Sequence, residues 1–198
     1  MNHLATSKED ILAASRDLIK ENGWAAVSIR AVASRCSVSA GTIYNYYESK
    51  ADLLSDTIES IWHEIFFHPE DEQVFHDVES CISWIYERLE YGNRQFPGFF
   101  SLHSFGFMRD EKTSGKKRMM KTWGHILNGL CEVLENDPKV RADVFDQEFT
   151  EKKFADILFS LILVSMIRQD YDPSSVLMLV KKTLYVTVQS QAKFQKQV

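Results

Sequence analysis

Four helix starts crowd into residues 7–52, and that spacing leaves room only for short helices joined by tight turns. Ser7-Lys-Glu-Asp10 has the form of a capping box with Asp in place of Glu, after which Ile11, Ala14, Ser15 and Leu18 share one face. Asn22-Gly23 ends this helix, since both residues tolerate the left-handed conformation of a C-cap. Ser28 caps a short second helix that carries Ile29, Val32 and Ala33 inward. Ser37-Val38-Ser39 makes a tight break, and Ser39 caps a third helix over about 40–46. Ser49-Lys-Ala-Asp52 repeats the capping-box pattern and opens a long fourth helix with Leu53, Leu54, Ile58, Ile61, Trp62 and Ile65 inward.

Two short helices joined by a tight turn and braced by longer ones form a helix-turn-helix unit, here over about 28–47. Its second helix has the size of the DNA major groove, which is about 12 Å wide. Ala40 and Gly41 are small enough for a backbone to approach DNA closely. Thr42, Tyr44, Asn45 and Tyr46 offer hydroxyl or amide groups, while Ile43 and Tyr47 point back to the core. Lys50 stands in the first turn of the fourth helix, where a cation opposes the macrodipole at about 0.3–1 kcal/mol. A phosphate held there by Lys50 and the free backbone N–H groups removes that penalty; an ordinary solvated lysine is the plainer reading.

Charge alone points nowhere. The chain carries a net −5, and its first 56 residues hold six cations (Lys8, Arg16, Lys20, Arg30, Arg35, Lys50) against seven anions, so a DNA-binding reading rests on where charges sit. Four prolines and eight glycines in 198 residues favour long helices. The expected fold is all-α: an N-terminal three-helix helix-turn-helix domain over 5–65 and a larger C-terminal helical bundle over 66–198. Three cysteines without CxxC spacing form neither a disulfide framework nor a zinc site. Met1–Asp10 is polar and Ile157–Ile167 is too short to span a bilayer, so the expected compartment is the reducing cytoplasm, with no membrane partner.

The stretches Ile11-Leu-Ala-Ala, Gly23, Val27-Ser-Ile-Arg-Ala-Val-Ala, Val38-Ser-Ala-Gly-Thr-Ile-Tyr-Asn-Tyr-Tyr-Glu-Ser-Lys and Leu53-Leu54 together resemble the N-terminal pattern of the tetracycline-repressor (TetR) family of regulators. The resemblance covers about a quarter of the chain and holds in register through all four helices. It implies phosphate contacts from Ser28, Arg30, Tyr44 and Lys50, and base contacts from Gly41, Thr42, Asn45 and Tyr46. With Ser39 and Ala40 at the helix start, these form the candidate DNA-binding set. Three positions depart from the pattern: Ser37 where glycine is usual, Cys36 where a small residue is usual, and Tyr47 where phenylalanine is common. Ser37 implies strain or an altered turn, and Cys36 reads as a packed core thiol. The Tyr47 hydroxyl must reach a rim or a polar partner.

Beyond residue 65 the periodicity stays helical. Val74, Val78, Cys81, Ile82, Ile85 and Leu89 share one face; Phe96, Phe99, Phe100, His103 and Phe107 a second; Met119, Met120, Trp123, Ile126, Leu127, Leu130 and Leu134 a third. Trp84, Phe99, Phe100, His103, Phe107, Met120 and Trp123 supply more aromatic and thioether bulk than a small bundle needs, which suggests an apolar effector pocket. His103 is either a core histidine bonded to a carbonyl or a ligand-orienting group. Helices are expected over about 149–169 and 174–195. Ile157–Ile167 is apolar nearly all round and needs cover on two sides, so the last two helices are expected to build a two-fold dimer. Phe154, Leu158, Leu161, Ser165, Val180, Leu184 and Val188 are its candidate interface.

Neither GxSxG nor HExxH nor a Walker loop occurs, and neither catalytic residues nor a cofactor is called for. His68 and His76 flank the acidic stretch Glu70-Asp-Glu72, with His63 five residues before His68, but they read as a solvated loop between the domains rather than a metal site. The expectation is a repressor that binds an inverted-repeat operator on double-stranded DNA as a homodimer and is released by a small apolar ligand of unknown identity. The alternatives are an adaptor that keeps the fold but acts through protein partners, and, remotely, a small enzyme using Cys81 or His103.

Overall fold

The computed structural model describes residues 6–66, 75–100 and 114–186, with side chains from Trp123 onward in the last segment. Every regular element among them is helical: α1 (Lys8–Asn22), α2 (Ile29–Arg35), α3 (Ala40–Tyr44), α4 (Lys50–Phe66), α5 (Val78–Gln95), α6 (Ser114–Asn136), α7 (Glu151–Arg168) and α8 (Ser174–Val180). The chain groups into two compact units, Met1–Glu72 with Arg88–Lys121, and Gln73–Glu87 with Thr122–Val198. That grouping places Arg88–Lys121 with the N-terminal segment rather than beyond a division near residue 65.

In the first unit each expected cap is made. Ser7 and Asp10 form the reciprocal capping box, with Asp10 N–H donating to Ser7 Oγ (3.1 Å) and Ser7 N–H to Asp10 Oδ2 (2.8 Å). The Oγ atoms of Ser28, Ser39 and Ser49 accept from the N–H groups of Ala31, Thr42 and Asp52. Gly23 ends α1 at φ +74°, a region that costs other residues a steric clash. Ile11, Ile19, Val32, Ile43, Leu53 and Ile61 fill the core between these helices. Between α2 and α3, Ser37 takes φ +56°, the left-handed backbone that the sequence departure foreshadows. Cys36 is not a core thiol: it is half-buried at the α2 C-cap, with Sγ 3.8 Å from the Asp10 carbonyl.

The C-terminal half of α5 closes on the end of α4. Arg88 donates through Nη2 to the Glu64 carbonyl (3.1 Å) and through Nε to the Ile65 carbonyl. These carbonyls lie in the last turn of α4, where helical partners run out. Gly92 permits this approach, because a Cβ there would stand 2.6 Å from Ile65 Cδ1 and 3.0 Å from Phe100 Cζ. After α5 the aromatic stripe is broken: Pro97-Gly98, with Gly98 at φ +79°, separates Phe96 from Phe99 and Phe100. All three rings are buried, and Trp24 stacks on Phe99 at 5.9 Å while Trp62 packs on Phe99 and Phe100 at 5.5 and 5.6 Å.

In the second unit, Val78, Ile82 and Ile85 meet Leu130, Leu134, Phe154, Leu158, Ile162, Val180 and Leu184 in the apolar core. Asp137 follows the end of α6 and is only 5% exposed, so its carboxylate must be satisfied internally. It accepts from Val78 N–H (3.0 Å), Lys139 N–H (2.9 Å) and the Tyr185 hydroxyl (2.6 Å). The last helix, expected over 174–195, is interrupted within the described residues, and 187–195 lie outside them. It passes at Val180 into a wider turn over Lys181–Tyr185, and Val186 is extended. Arg141 captures the chain there: its N–H donates to the Leu184 carbonyl (3.0 Å) and its side chain to the Val186 carbonyl, so these acceptors do not need a continuing helix.

Two substitutions test this account. Gly92→Ala gains helix propensity but overpacks Ile65 and Phe100, and should lower the unfolding free energy by about 1–2 kcal/mol. Ser37→Gly should raise it by about 0.5–1 kcal/mol by relieving the left-handed backbone. Urea midpoints with an unchanged m-value check both.

Candidate nucleic-acid interface

The helix-turn-helix presents its second helix, α3, with a narrow buried side. Ile43 is fully buried and Tyr47 is 4% exposed, while Tyr44 is 55% exposed and Gly41, Asn45 and Lys50 are also exposed. Thr42 is half-buried, with Oγ1 3.0 Å from Ser39 Oγ. Ser28 and Ser39 are N-caps, and Ala40 is half-buried at the start of α3. Tyr46 differs from its neighbours: half-buried just after α3, it donates its hydroxyl to the Thr6 carbonyl at 2.7 Å. A backbone carbonyl leaves no mark in a sequence, so nothing in the residue pattern announces that bond.

Internal packing does not require glycine at position 41. A Cβ added there would meet only Ser39 Oγ at 3.6 Å, an ordinary contact, although glycine costs a helix about 1 kcal/mol relative to alanine.

The cations divide into two groups. Lys8 pairs with Asp56 (2.6 Å), Arg16 with Glu9 and Glu64 (both 3.0 Å), Lys20 with Glu64 (2.6 Å), and Arg35 with Glu21 (2.5 Å). Arg30 and Lys50 are exposed and have no carboxylate partner among the described residues. They lie in the first turns of α2 and α4, the helices on either side of α3.

The seven aromatic and thioether candidates for an effector pocket fall in different places. Phe99 and Phe100 belong to the core of the first unit. Trp84 packs on Phe75 (5.3 Å) and Trp123 on Phe159 (5.8 Å), both in the second unit. His103, Phe107 and the Met120 side chain lie outside the described residues. Trp62, 5% exposed, holds an indole N–H that finds no acceptor among the described residues. Burial pushes the Cys81 thiol up to about 12, which leaves no thiolate for nucleophilic chemistry at neutral pH.

Of the seven candidate dimer residues, Phe154, Leu158, Val180 and Leu184 are buried within their own unit. Leu161 and Ser165 are half-buried, with Ser165 Oγ 2.8 Å from the Tyr86 hydroxyl, and Val188 lies outside the described residues. Among the described residues of the second unit, the large apolar side chains left exposed are others: Ile157, Val164 and Ile167 on α7, Met178 and Leu179 on α8, and Val186. Ile157, Val164 and Ile167 fall at intervals of seven and three, on one face of α7.

Residues 11–57 match the N-terminal domain described as bacterial regulatory proteins, tetR family. The HTH-type transcriptional regulator UidR of Escherichia coli K12 is 38% identical over 48 residues, which span 24% of either chain. Among solved structures, a transcriptional regulator from Rhodococcus sp. Rha1 superposes with a TM-score of 0.66 at 18% identity, covering 92% of this chain and all of that one. FadR from Bacillus subtilis, in complex with stearoyl-CoA, superposes at 0.61 and 17% identity, covering 88% and 97% of the two chains. Salmonella enterica GusR superposes at 0.58 and 16%, covering 89% and 94%. The fold is thus shared along most of the chain, and residues 11–57 carry the sequence pattern of the tetR-family N-terminal domain.

Proposed function

We propose that this protein is a transcription regulator that reads an inverted-repeat operator as a homodimer, with α3 in the major groove. One observation carries the reading. Among the described cations of residues 1–56, those left without a carboxylate are Arg30 and Lys50, which flank α3. Cations needed only for solubility need not be sorted this way. Two that frame a reading helix are placed for phosphates on either side of a groove. Gly41 supports the same face, because its missing side chain serves no internal contact. Thr42 and Asn45 are the base-reading candidates, with Tyr44 beside Lys50 on phosphate; Ser28 and Ser39 act first as helix caps.

Dimerisation follows from reach, since one head reads few bases and two heads about 34–36 Å apart meet successive major grooves. The surface offered to a partner is Ile157, Val164 and Ile167 of α7 with Met178 and Leu179 of α8. This set replaces Phe154, Leu158, Val180 and Leu184, whose burial within their own unit leaves them nothing to offer.

Effector release is the third part of the reading. A ligand acts by favouring an arrangement of the heads that misses the operator. FadR, a fold neighbour, is seen with stearoyl-CoA, which joins a long apolar acyl chain to a charged coenzyme head, and this supports an effector with a substantial apolar part. The indole N–H of Trp62, which finds no acceptor among the described residues, suits a ligand that carries a hydrogen-bond acceptor within apolar surroundings.

Binding to a site selected from random duplex DNA tests the DNA reading. Lys50→Ala and Arg30→Ala should each weaken all sequences alike and flatten the slope of log affinity against log salt by about one unit per head. Asn45→Ala should instead relax preference at one position of each half-site and cost about 1–3 kcal/mol there. Unchanged affinity in all three variants would remove the assignment. Val164→Glu should give monomers by light scattering that keep helical content and lose operator affinity; a dimer of undiminished stability would exclude this face.

A further inference from the structure

We propose that Tyr46 is a positioning residue, which sets the reading helix against the start of α1 through its hydroxyl rather than reading a base. The inference rests on the DNA-reading role of α3. A tyrosine just after a recognition helix invites a base contact, and its neighbours Tyr44 and Asn45 are exposed. Tyr46 itself is half-buried, and its one donor is engaged at 2.7 Å by the backbone carbonyl of Thr6, a residue only 6% exposed. Turning the hydroxyl outward would leave that acceptor without its donor.

The same short segment is held from three other sides. Cys36, in the turn before α3, places Sγ 3.8 Å from the Asp10 carbonyl. Lys8 lies 5.6 Å above the Tyr47 ring and pairs with Asp56 of α4 at 2.6 Å. The first turn of α1 therefore braces the entry to α3, its exit and the helix that follows. Its own geometry is fixed by the Ser7–Asp10 capping box. Because α3 has five residues and too few internal hydrogen bonds to hold its own direction, its aim depends on what grips its ends. Tyr46 is the hydrogen-bonded grip at the exit.

Tyr46→Phe removes the hydroxyl and keeps the ring. On the site selected by the wild-type dimer, and on every single-base variant of it, Tyr46→Phe should bind about 3- to 30-fold more weakly, with base preference unchanged at all positions. Affinity is measured where circular dichroism shows both proteins fully folded, so that lost stability cannot mimic the effect. Hydrogen exchange over residues 40–47 should quicken in the free variant. Relaxed preference at one base pair would make Tyr46 a base reader and overturn the proposal, as would unchanged affinity or unchanged exchange. Failure of the wild-type protein to select any sequence would instead remove the DNA-reading role on which the inference stands.

Discussion

The ion pairs of Arg16 and Lys20 with Glu64 hold α1 to the last turn of α4, and the reading surface depends on them. Each pair is partly exposed and worth little alone. Their joint effect is to fix which charges remain available outside. Glu64 also sits where Arg88 closes the end of α4 through the carbonyls of Glu64 and Ile65. One carboxylate thus takes up two cations of α1 at the point where the α4 backbone is gripped by α5. With Lys8 on Asp56 and Arg35 on Glu21, the scaffold uses four of six N-terminal cations within itself. A near-neutral head can still address a polyanion, because the two left over stand beside α3.

That division explains why overall charge misleads in this chain. Non-specific attraction to DNA grows with the number of free cations, whereas discrimination grows with hydroxyl, amide and methyl contacts to base edges. A head with few free cations and a reading helix of glycine, threonine and asparagine leans toward the second term. Its short α3 cannot aim those groups unaided, so the first turn of α1 and the strained turn at Ser37 become part of the reading apparatus.

The four N-terminal caps were legible in the sequence because each involves a serine and an amide three residues on, an interaction local to the chain. The left-handed turn was legible only through the resemblance, because the family pattern has glycine where this chain has Ser37. The bond from Tyr46 to Thr6 spans forty residues and ends on a backbone carbonyl, so no residue type records it. On α7 the difficulty is different. A helix apolar nearly all round has no sided pattern, and Phe154 and Leu158 cannot be told from Ile157 and Val164 until packing chooses between them. The Phe96–Phe107 stripe misled in a third way, since its helical period runs through Pro97-Gly98, where the helix breaks.

The central claim is that the free cations flanking α3, and not the ion-paired ones, meet the phosphates. It is tested most directly by the slope of log affinity against log salt for the wild-type protein on a selected inverted-repeat site. Two free cations in each of two heads predict a slope of about −3 to −4. A slope of about −7 or steeper would bring further cations onto the DNA beside Arg30 and Lys50, and would contradict the account.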